Sequence, residues 1–306
     1  MLLSIITLNY KKPHLTVACL ESLYAQLREE FEKGEVELII VDNASGDDSV
    51  DVLKQAIHSM GSPRRQGFEG HAGKKNNHVR IIANSENLGF GAGCNLGAES
   101  AKGKYLLFLN NDTVVKDKGF LSMAEYIEEH PEVAILGGQL HNSDITLQAS
   151  AGTFYTPLNA SLLLLGMQKF GLLDRNPRRI SQVDWVKGAL FMIQSDVFKK
   201  LQGFDENIFM YTEDMELCYR AKLAGYKTYF YPNLMVIHSD QGSSNRAFAI
   251  VNIYKNLLYF YKKHKSRREY LYIKSLMKTK AELLIGIGKM TGNDYLVKTY
   301  EQAMRF

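Results

Sequence analysis

Four short runs rich in Leu, Ile and Val, each stopped by side chains bearing oxygen or nitrogen, constrain this chain more than any other feature. Leu2–Leu8 ends at Asn9, Val36–Val41 at Asp42, Val79–Ala83 at Asn84, and Tyr105–Leu109 at Asn110-Asn111-Asp112. Runs of this length and composition are what strands buried on both faces of a parallel sheet require. The intervals between them carry helical spacing. Leu15 to Leu27 has apolar residues at 15, 20, 23 and 27, and Val50 to Ile57 follows a Ser/Asp-rich turn. Gly89 opens a third helix, Phe120 to Glu129 forms a fourth, closed by His130-Pro131, and Ala134 to Gly138 makes a fifth strand. This alternation predicts a doubly wound α/β sheet. Each polar strand end then lies on the carboxyl edge, where such sheets bind ligands.

Chemistry gathers at those ends. Asn110, Asn111 and Asp112 offer the oxygens that suit a hard cation such as Mg²⁺ or Mn²⁺, with a phosphate ester as the other partner. Asp42 can accept from a base N–H or a ribose hydroxyl, or serve an Asx-turn. The Gly89-x-Gly91-x-Gly93 run brings backbone close either to phosphate or to a tightly packed neighbour. It follows the third strand, whereas a dinucleotide fingerprint follows the first. After the first strand stands Asn9-Tyr10-Lys11-Lys12-Pro13, without glycine, which counts against a nicotinamide or flavin dehydrogenase and against a nucleotidyltransferase. Glu213-Asp214 begins a helix, as a general base or as charges capping the helix dipole. His238 follows the last strand.

The 306 residues suffice for a sizeable core. Residues 58–78 lack an apolar period and predict a flexible insertion. Trp185–Ile193 reads as one strand, Glu213–Ala224 as a helix, Lys227–Tyr231 as a strand, and everything from Arg246 onward as helical. Residues 255–280 hold nine Lys or Arg against one acid, interleaved with five aromatics. That pattern suits an anionic membrane surface, a solvated helical face or a homodimer contact; no nucleic-acid motif accompanies it. Cys19, Cys94 and Cys218 are widely spaced, without CxxC, as in a reducing cytoplasm. The N-terminus lacks the basic segment of a signal peptide, and no apolar run approaches about 20 residues. The expected location is cytoplasmic, extending to the inner face of the cell membrane.

Taken together, these motifs resemble inverting family 2 glycosyltransferases of GT-A fold, in particular the bacterial rhamnosyltransferase-like branch. The resemblance rests on Ser4-Ile-Ile-Thr-Leu-Asn-Tyr10, Val41-Asp-Asn-Ala-Ser45, Asn87-Leu-Gly-Phe-Gly91 with Asn95, and Asn110-Asn-Asp112. It continues through Gly188-Ala189, Gly203-Phe-Asp-Glu206 and Tyr211-Thr-Glu-Asp-Met-Glu-Leu-Cys-Tyr-Arg220, in order over residues 2–245. The resemblance implies a GT-A mixed α/β sheet over 1–245 with flanking helices, and a basic helical extension over 246–306. It implies that Thr7, Asn9 and Asp42 hold the nucleoside of a sugar-nucleotide donor (dTDP-rhamnose or a UDP-sugar). Asn87, Gly89, Asn110 and Asn111 line the donor pocket, and Trp185 lies near a sugar. Asp112 and His238 bind a divalent metal, Asp214 is the catalytic base, and Glu213 stands beside it. The acceptor is a saccharide or a lipid-linked saccharide in cell-surface polysaccharide synthesis. One departure is plain: the family's usual Asp-x-Asp is Asn110-x-Asp112, one negative charge fewer. The rival is a sugar-nucleotide-binding or scaffold protein of this fold without catalysis.

Overall fold

The computed structural model describes residues 1–60, 78–164, 174–239 and 245–306. The chain begins β1 (Leu3–Asn9), α1 (Pro13–Lys33), β2 (Val36–Asp42), α2 (Ser49–Met60), β3 (Val79–Ala83), α3 (Phe90–Glu99) and β4 (Tyr105–Leu109). Of the expected 58–78 insertion, residues 58–60 belong to α2 and 61–77 lie outside the described residues. Next come β5 (Thr113–Val115), α4 (Gly119–Glu129), β6 (Val133–His141), β7 (Leu147–Gln148), β8 (Ala151–Gly152) and α5 (Pro157–Leu164). Then follow β9 (Asp174–Arg175), β10 (Ser181–Val183), β11 (Trp185–Val186), β12 (Leu190–Gln194), α6 (Ser195–Lys200), α7 (Glu213–Leu223) and β13 (Lys227–His238). Three helices close the chain: α8 (Arg246–His264), α9 (Arg267–Thr291) and α10 (Asp294–Ala303).

The main sheet runs β10-β13-β6-β12-β4-β1-β2-β3. From β4 through β1 and β2 to β3 it is parallel, as the apolar runs predict. Beyond β4 it is mixed. The fifth expected strand, β6, does not pair with β4, because β12 lies antiparallel between them. Burial explains the continuous apolar runs. One core layer packs Leu3, Ile5 and Leu38 under α1; the other packs Ile6, Val41 and Phe108 under α3, α6 and α7.

Trp185–Ile193, expected as one strand, is two. β11 pairs with β8 in a separate three-stranded sheet, and β12 joins the main sheet. The break at Lys187-Gly188-Ala189 releases backbone groups at the carboxyl edge. The strand expected over Lys227–Tyr231 continues to His238 as β13, with a register shift at the Tyr231/Val236 step.

The glycine run serves packing. A Cβ on Gly89, whose φ is +84°, would lie 2.1 Å from the Phe209 carbonyl oxygen, and one on Gly93 would lie 2.6 Å from Leu8. Of the two readings of that run, the tightly packed neighbour is the one the fold uses. The helical extension packs on the same core: Val251, Leu257, Phe260 and Tyr261 are buried beside Leu217 of α7. Buried Glu216 of α7 binds Lys263 at 2.8 Å and His264 at 2.9 Å. Part of the basic and aromatic pattern over 255–280 is therefore spent inside the molecule, whereas Arg267, Arg268, Tyr272, Lys274 and Lys278 stay exposed.

Candidate active site

A cleft of about 780 Å³ opens at the carboxyl edge of the parallel strands. Its lining includes Asn87, Gly89, Asn110, Asn111, Asp112, Trp185, Glu213, Asp214 and His238, so nearly every residue singled out in the sequence meets there. Thr7, Asn9 and Asp42 do not line it. They are buried beneath the floor, and Leu8, Tyr10 and Asn43 face the cleft instead. Strand alternation turns Thr7 and Asn9 to the α1 side, where Asn9 accepts from Thr16 at 2.8 Å and donates to Asp42 at 2.7 Å. Asp42 also accepts from the Ser45 hydroxyl and backbone N–H, at 2.6 and 3.1 Å, which is the Asx-turn expected of it. Asn43, which sequence reasoning passed over, ties the wall together: its amide donates to Asn87 at 2.9 Å and to the Gly89 carbonyl at 3.0 Å.

His238 reaches Asp112 through β5, a strand too short to read from sequence. β13 runs antiparallel to β5 with His238 opposite Thr113, so residues 126 apart in the chain become neighbours. His238 Nδ1 lies 2.7 Å from Gln148 Oε1, an atom that only accepts, so the ring proton sits on Nδ1. Nε2 then accepts from the Asn110 amide at 3.1 Å. Nε2 also faces Asp112 Oδ1 at 3.2 Å. Ligands about 2.1 Å from one ion stand at comparable separations, so Asp112 and His238 are close enough to share one divalent cation. This pair of donors is compatible with a divalent metal, which Asp112 and His238 could hold. Among the described residues no group of three or more His, Cys, Asp or Glu gathers, so substrate oxygens would complete the shell.

Gln148 lies in a stretch without periodicity, and no sequence signal marks it. Its oxygen fixes the ring as outer ligands of metal-bound histidines do. Gln148→Leu is expected to weaken Mn²⁺ binding about tenfold with the fold intact; an unchanged affinity by calorimetry would remove that role.

Glu213 and Asp214 begin α7 behind two residues of positive φ, Tyr211 at +70° and Thr212 at +69°. Such a pair is costly in non-glycine residues. Buried Asn256 of α8 holds it, donating to the Met210 and Tyr211 carbonyls at 2.7 and 3.0 Å. The two carboxyls then differ in environment. Asp214 accepts from the Gly188 N–H at 2.8 Å and the Met215 N–H at 2.7 Å. Burial raises its affinity for a proton, and those N–H groups and the Lys187 charge oppose the rise. Glu213 is buried with one oxygen lacking any hydrogen bond. Burial, then the Asp214 charge, push it up to about 8. The backbone donors around Asp214 favour its carboxylate form, and the burial of Glu213 favours its neutral acid form.

That split has a measurable sign. The unfolded chain releases the Glu213 proton near 4.5 and the folded chain keeps it to about 8, so this group's contribution to stability falls as pH rises through that window. Glu213→Gln, which mimics the neutral acid, is expected to melt progressively higher than the parent from about pH 5 to about pH 8 and to keep activity within about tenfold. Parallel melting curves across that range would contradict the assignment.

Trp185 stands at the cleft on the second sheet, its indole packed over Gly152 and donating to the Thr153 carbonyl at 3.0 Å. Several lining residues were not singled out by the sequence: Tyr155, just before α5, and Arg246, Tyr254 and Tyr300 from the extension, which also brings in Lys280 of the basic stretch.

Comparison with known proteins fits this arrangement. The chain is 27% identical over 169 residues to rhamnosyltransferase WbbL of Escherichia coli, covering 52% of this chain and 64% of that protein. It is 25% identical over 193 residues to an N-acetylglucosaminyl-diphospho-decaprenol L-rhamnosyltransferase of Mycobacterium tuberculosis, covering 55% and 61%. The chain thus spans less than two thirds of either relative. Its fold is similar to a mannosyltransferase of Pyrobaculum calidifontis solved with GDP-Man and Mn²⁺, at TM-score 0.57 and 13% identity over 98% of this chain and 73% of that one. It is also similar to GalNAc-T7 solved with UDP, GalNAc and Mn²⁺, at TM-score 0.60 and 18% identity over 85% and 50%. Residues 4–196, more than half of the chain, match the family described as Glycosyl transferase family 2, and the chain belongs to that family.

Proposed function

We propose that this chain is a metal-dependent inverting glycosyltransferase that moves a sugar, L-rhamnose, from a nucleoside diphosphate to a saccharide or lipid-linked acceptor in cell-surface polysaccharide synthesis. The observation that carries the reading is that Asp214, held by two backbone N–H groups, lines a single cleft with the adjacent Asp112 and His238. An acceptor hydroxyl is a weak nucleophile, and Asp214 would take its proton. Gly188 and Met215 hold that carboxylate in place, and neutral Glu213 adds no second charge. A single base serves one displacement, which inverts the anomeric centre. The metal would be held by Asp112 and His238 and would neutralise charge on the departing diphosphate.

On the donor side, Tyr10, Asn43, Asn87 and Gly89 would face the nucleoside, with Asp42, Asn9 and Thr7 shaping that wall from beneath. Asn110 and Asn111 would border the diphosphate, and Trp185 a sugar ring. The rhamnose assignment leans on the two rhamnosyltransferase relatives. It is tested by incubating the chain with dTDP-L-rhamnose, Mn²⁺ and a lipid-linked saccharide and reading the product's anomeric configuration by NMR. Inverted linkage is expected. Retention would overturn the single displacement, and transfer only from another sugar nucleotide would overturn rhamnose.

The exposed cations of α9 suit an anionic membrane surface. No helix among the described residues is long and apolar enough to cross a membrane. Reversing Arg267, Arg268 and Lys274 to Glu is expected to abolish flotation with phosphatidylglycerol vesicles; equal flotation would remove the idea.

A further inference from the structure

The place of Asp214 in the cleft depends on the first turn of α7, and that turn is not secured by its own residues. Tyr211 and Thr212 enter it in the left-handed region that favours glycine. The Thr212 hydroxyl donates back to the Tyr211 carbonyl at 2.5 Å instead of capping the helix. Farther back, the segment leading into α7 is tied to α3. Asn95 binds both backbone groups of Phe204, at 2.8 and 2.9 Å, and the Phe90 N–H donates to the Phe209 carbonyl at 2.8 Å. Between Phe209 and α7 the segment is tied to α8 instead.

α8 turns one face to this segment. Tyr259 and Lys263 reach the Asp205 carboxylate at 2.8 and 2.6 Å, and Lys263 also reaches Glu216 at 2.8 Å. Asn256, one turn earlier on that face, binds backbone close to the base: it donates to the Met210 and Tyr211 carbonyls. Asn256 is fully buried, and among the described residues its Oδ1 finds no donor. A buried amide with its oxygen unpaired is less favourable in a helix interior than an apolar side chain of the same size. Packing therefore does not account for an asparagine here, whereas two N–H donors at a strained turn do. We propose that Asn256 is a positioning residue for the base: its two N–H groups fix the Tyr211-Thr212 turn, and the turn fixes where the Asp214 carboxylate stands in the cleft. The inference rests on the reading of Asp214 as the base of a glycosyltransferase, and it gives α8 a task in the chemistry beyond packing.

The test is a double-mutant cycle on the full chain. Transfer to a lipid-linked saccharide is followed with Mn²⁺ and whichever of dTDP-L-rhamnose, UDP-glucose, UDP-N-acetylglucosamine and GDP-mannose the parent uses. Asn256→Leu keeps the side-chain volume and removes both donors. It is expected to lower kcat about 10²-fold, the effect of misplacing a reacting group by about 1 Å, with the donor KM within about twofold. In an Asp214→Asn background the same substitution should change the residual rate by less than about threefold, because the group it positions is already gone. Tyr259→Phe cuts a neighbouring tie on the same face and should lower the melting temperature while leaving kcat within about twofold. Asn256→Ser keeps a donor hydroxyl and should fall between Asn256→Leu and the parent; it carries the test where Asn256→Leu alters the fold. Equal loss in both backgrounds, or an unmoved kcat in the Asn256 variants, overturns the proposal. A loss in Tyr259→Phe matching that of Asn256→Leu overturns it as well and leaves α8 a general support. A parent that transfers from none of these donors, or an Asp214→Asn variant as fast as the parent, strikes the glycosyltransferase reading and the proposal with it.

Discussion

Asp214→Asn is expected to lower sugar transfer by about 10²–10⁴-fold, the range a positioned general base supplies, while nucleoside diphosphate binding stays within about twofold. The substitution keeps the shape of the side chain and removes its ability to take a proton. It also leaves one of two backbone donors, Gly188 N–H or Met215 N–H, facing an amide nitrogen. That mismatch costs about 1–3 kcal/mol and is expected as a lower melting temperature without unfolding. The comparison with Glu213→Gln gives the prediction its force. The two residues are adjacent, begin the same helix and carry the same functional group, yet one amide should silence the enzyme and the other should not. Loss of binding and activity together in Asp214→Asn, with the fold intact, would make Asp214 a structural cap of α7.

Asp112→Ala is expected to weaken Mn²⁺-dependent binding of thymidine diphosphate by about tenfold or more and to leave metal-free binding unchanged. The argument is electrostatic. Asn110 stands where a second carboxylate is usual in the family, so Asp112 is the one carboxylate at the end of β4 that could hold the ion. Without it, His238, oriented by Gln148, would be left to hold the ion with no carboxylate to balance its charge. Equal affinity with and without Asp112 would sink the ligand assignment.

The parallel half of the sheet was legible because each of its strands is buried on both faces and leaves a continuous apolar run. Val79–Ala83 and Tyr105–Leu109 end where the sequence says they end. What was not legible has a common physical origin in short, local geometry. β5 spans three residues, too few to carry a period, and it is what delivers His238 to Asp112. The break at Lys187–Ala189 lies between two strands of different sheets, and an apolar run does not show where a chain changes sheets. Gln148, Asn43 and Asn256 act through one or two hydrogen bonds that long-range packing sets up. The basic tail was only partly legible, for the opposite reason. Its pattern was visible, but composition does not tell Lys263, held against Glu216 and Asp205, from Lys280, which lines the cleft.

The measurement closest to the central claim is a thermal-melting panel of dTDP-L-rhamnose, UDP-glucose, UDP-N-acetylglucosamine and GDP-mannose, each with and without Mn²⁺. A ligand bound by the native state alone raises the melting temperature according to its affinity. The account predicts the largest rise with dTDP-L-rhamnose, and only when Mn²⁺ is present. Folded protein whose melting temperature no sugar nucleotide moves, with or without metal, would contradict it.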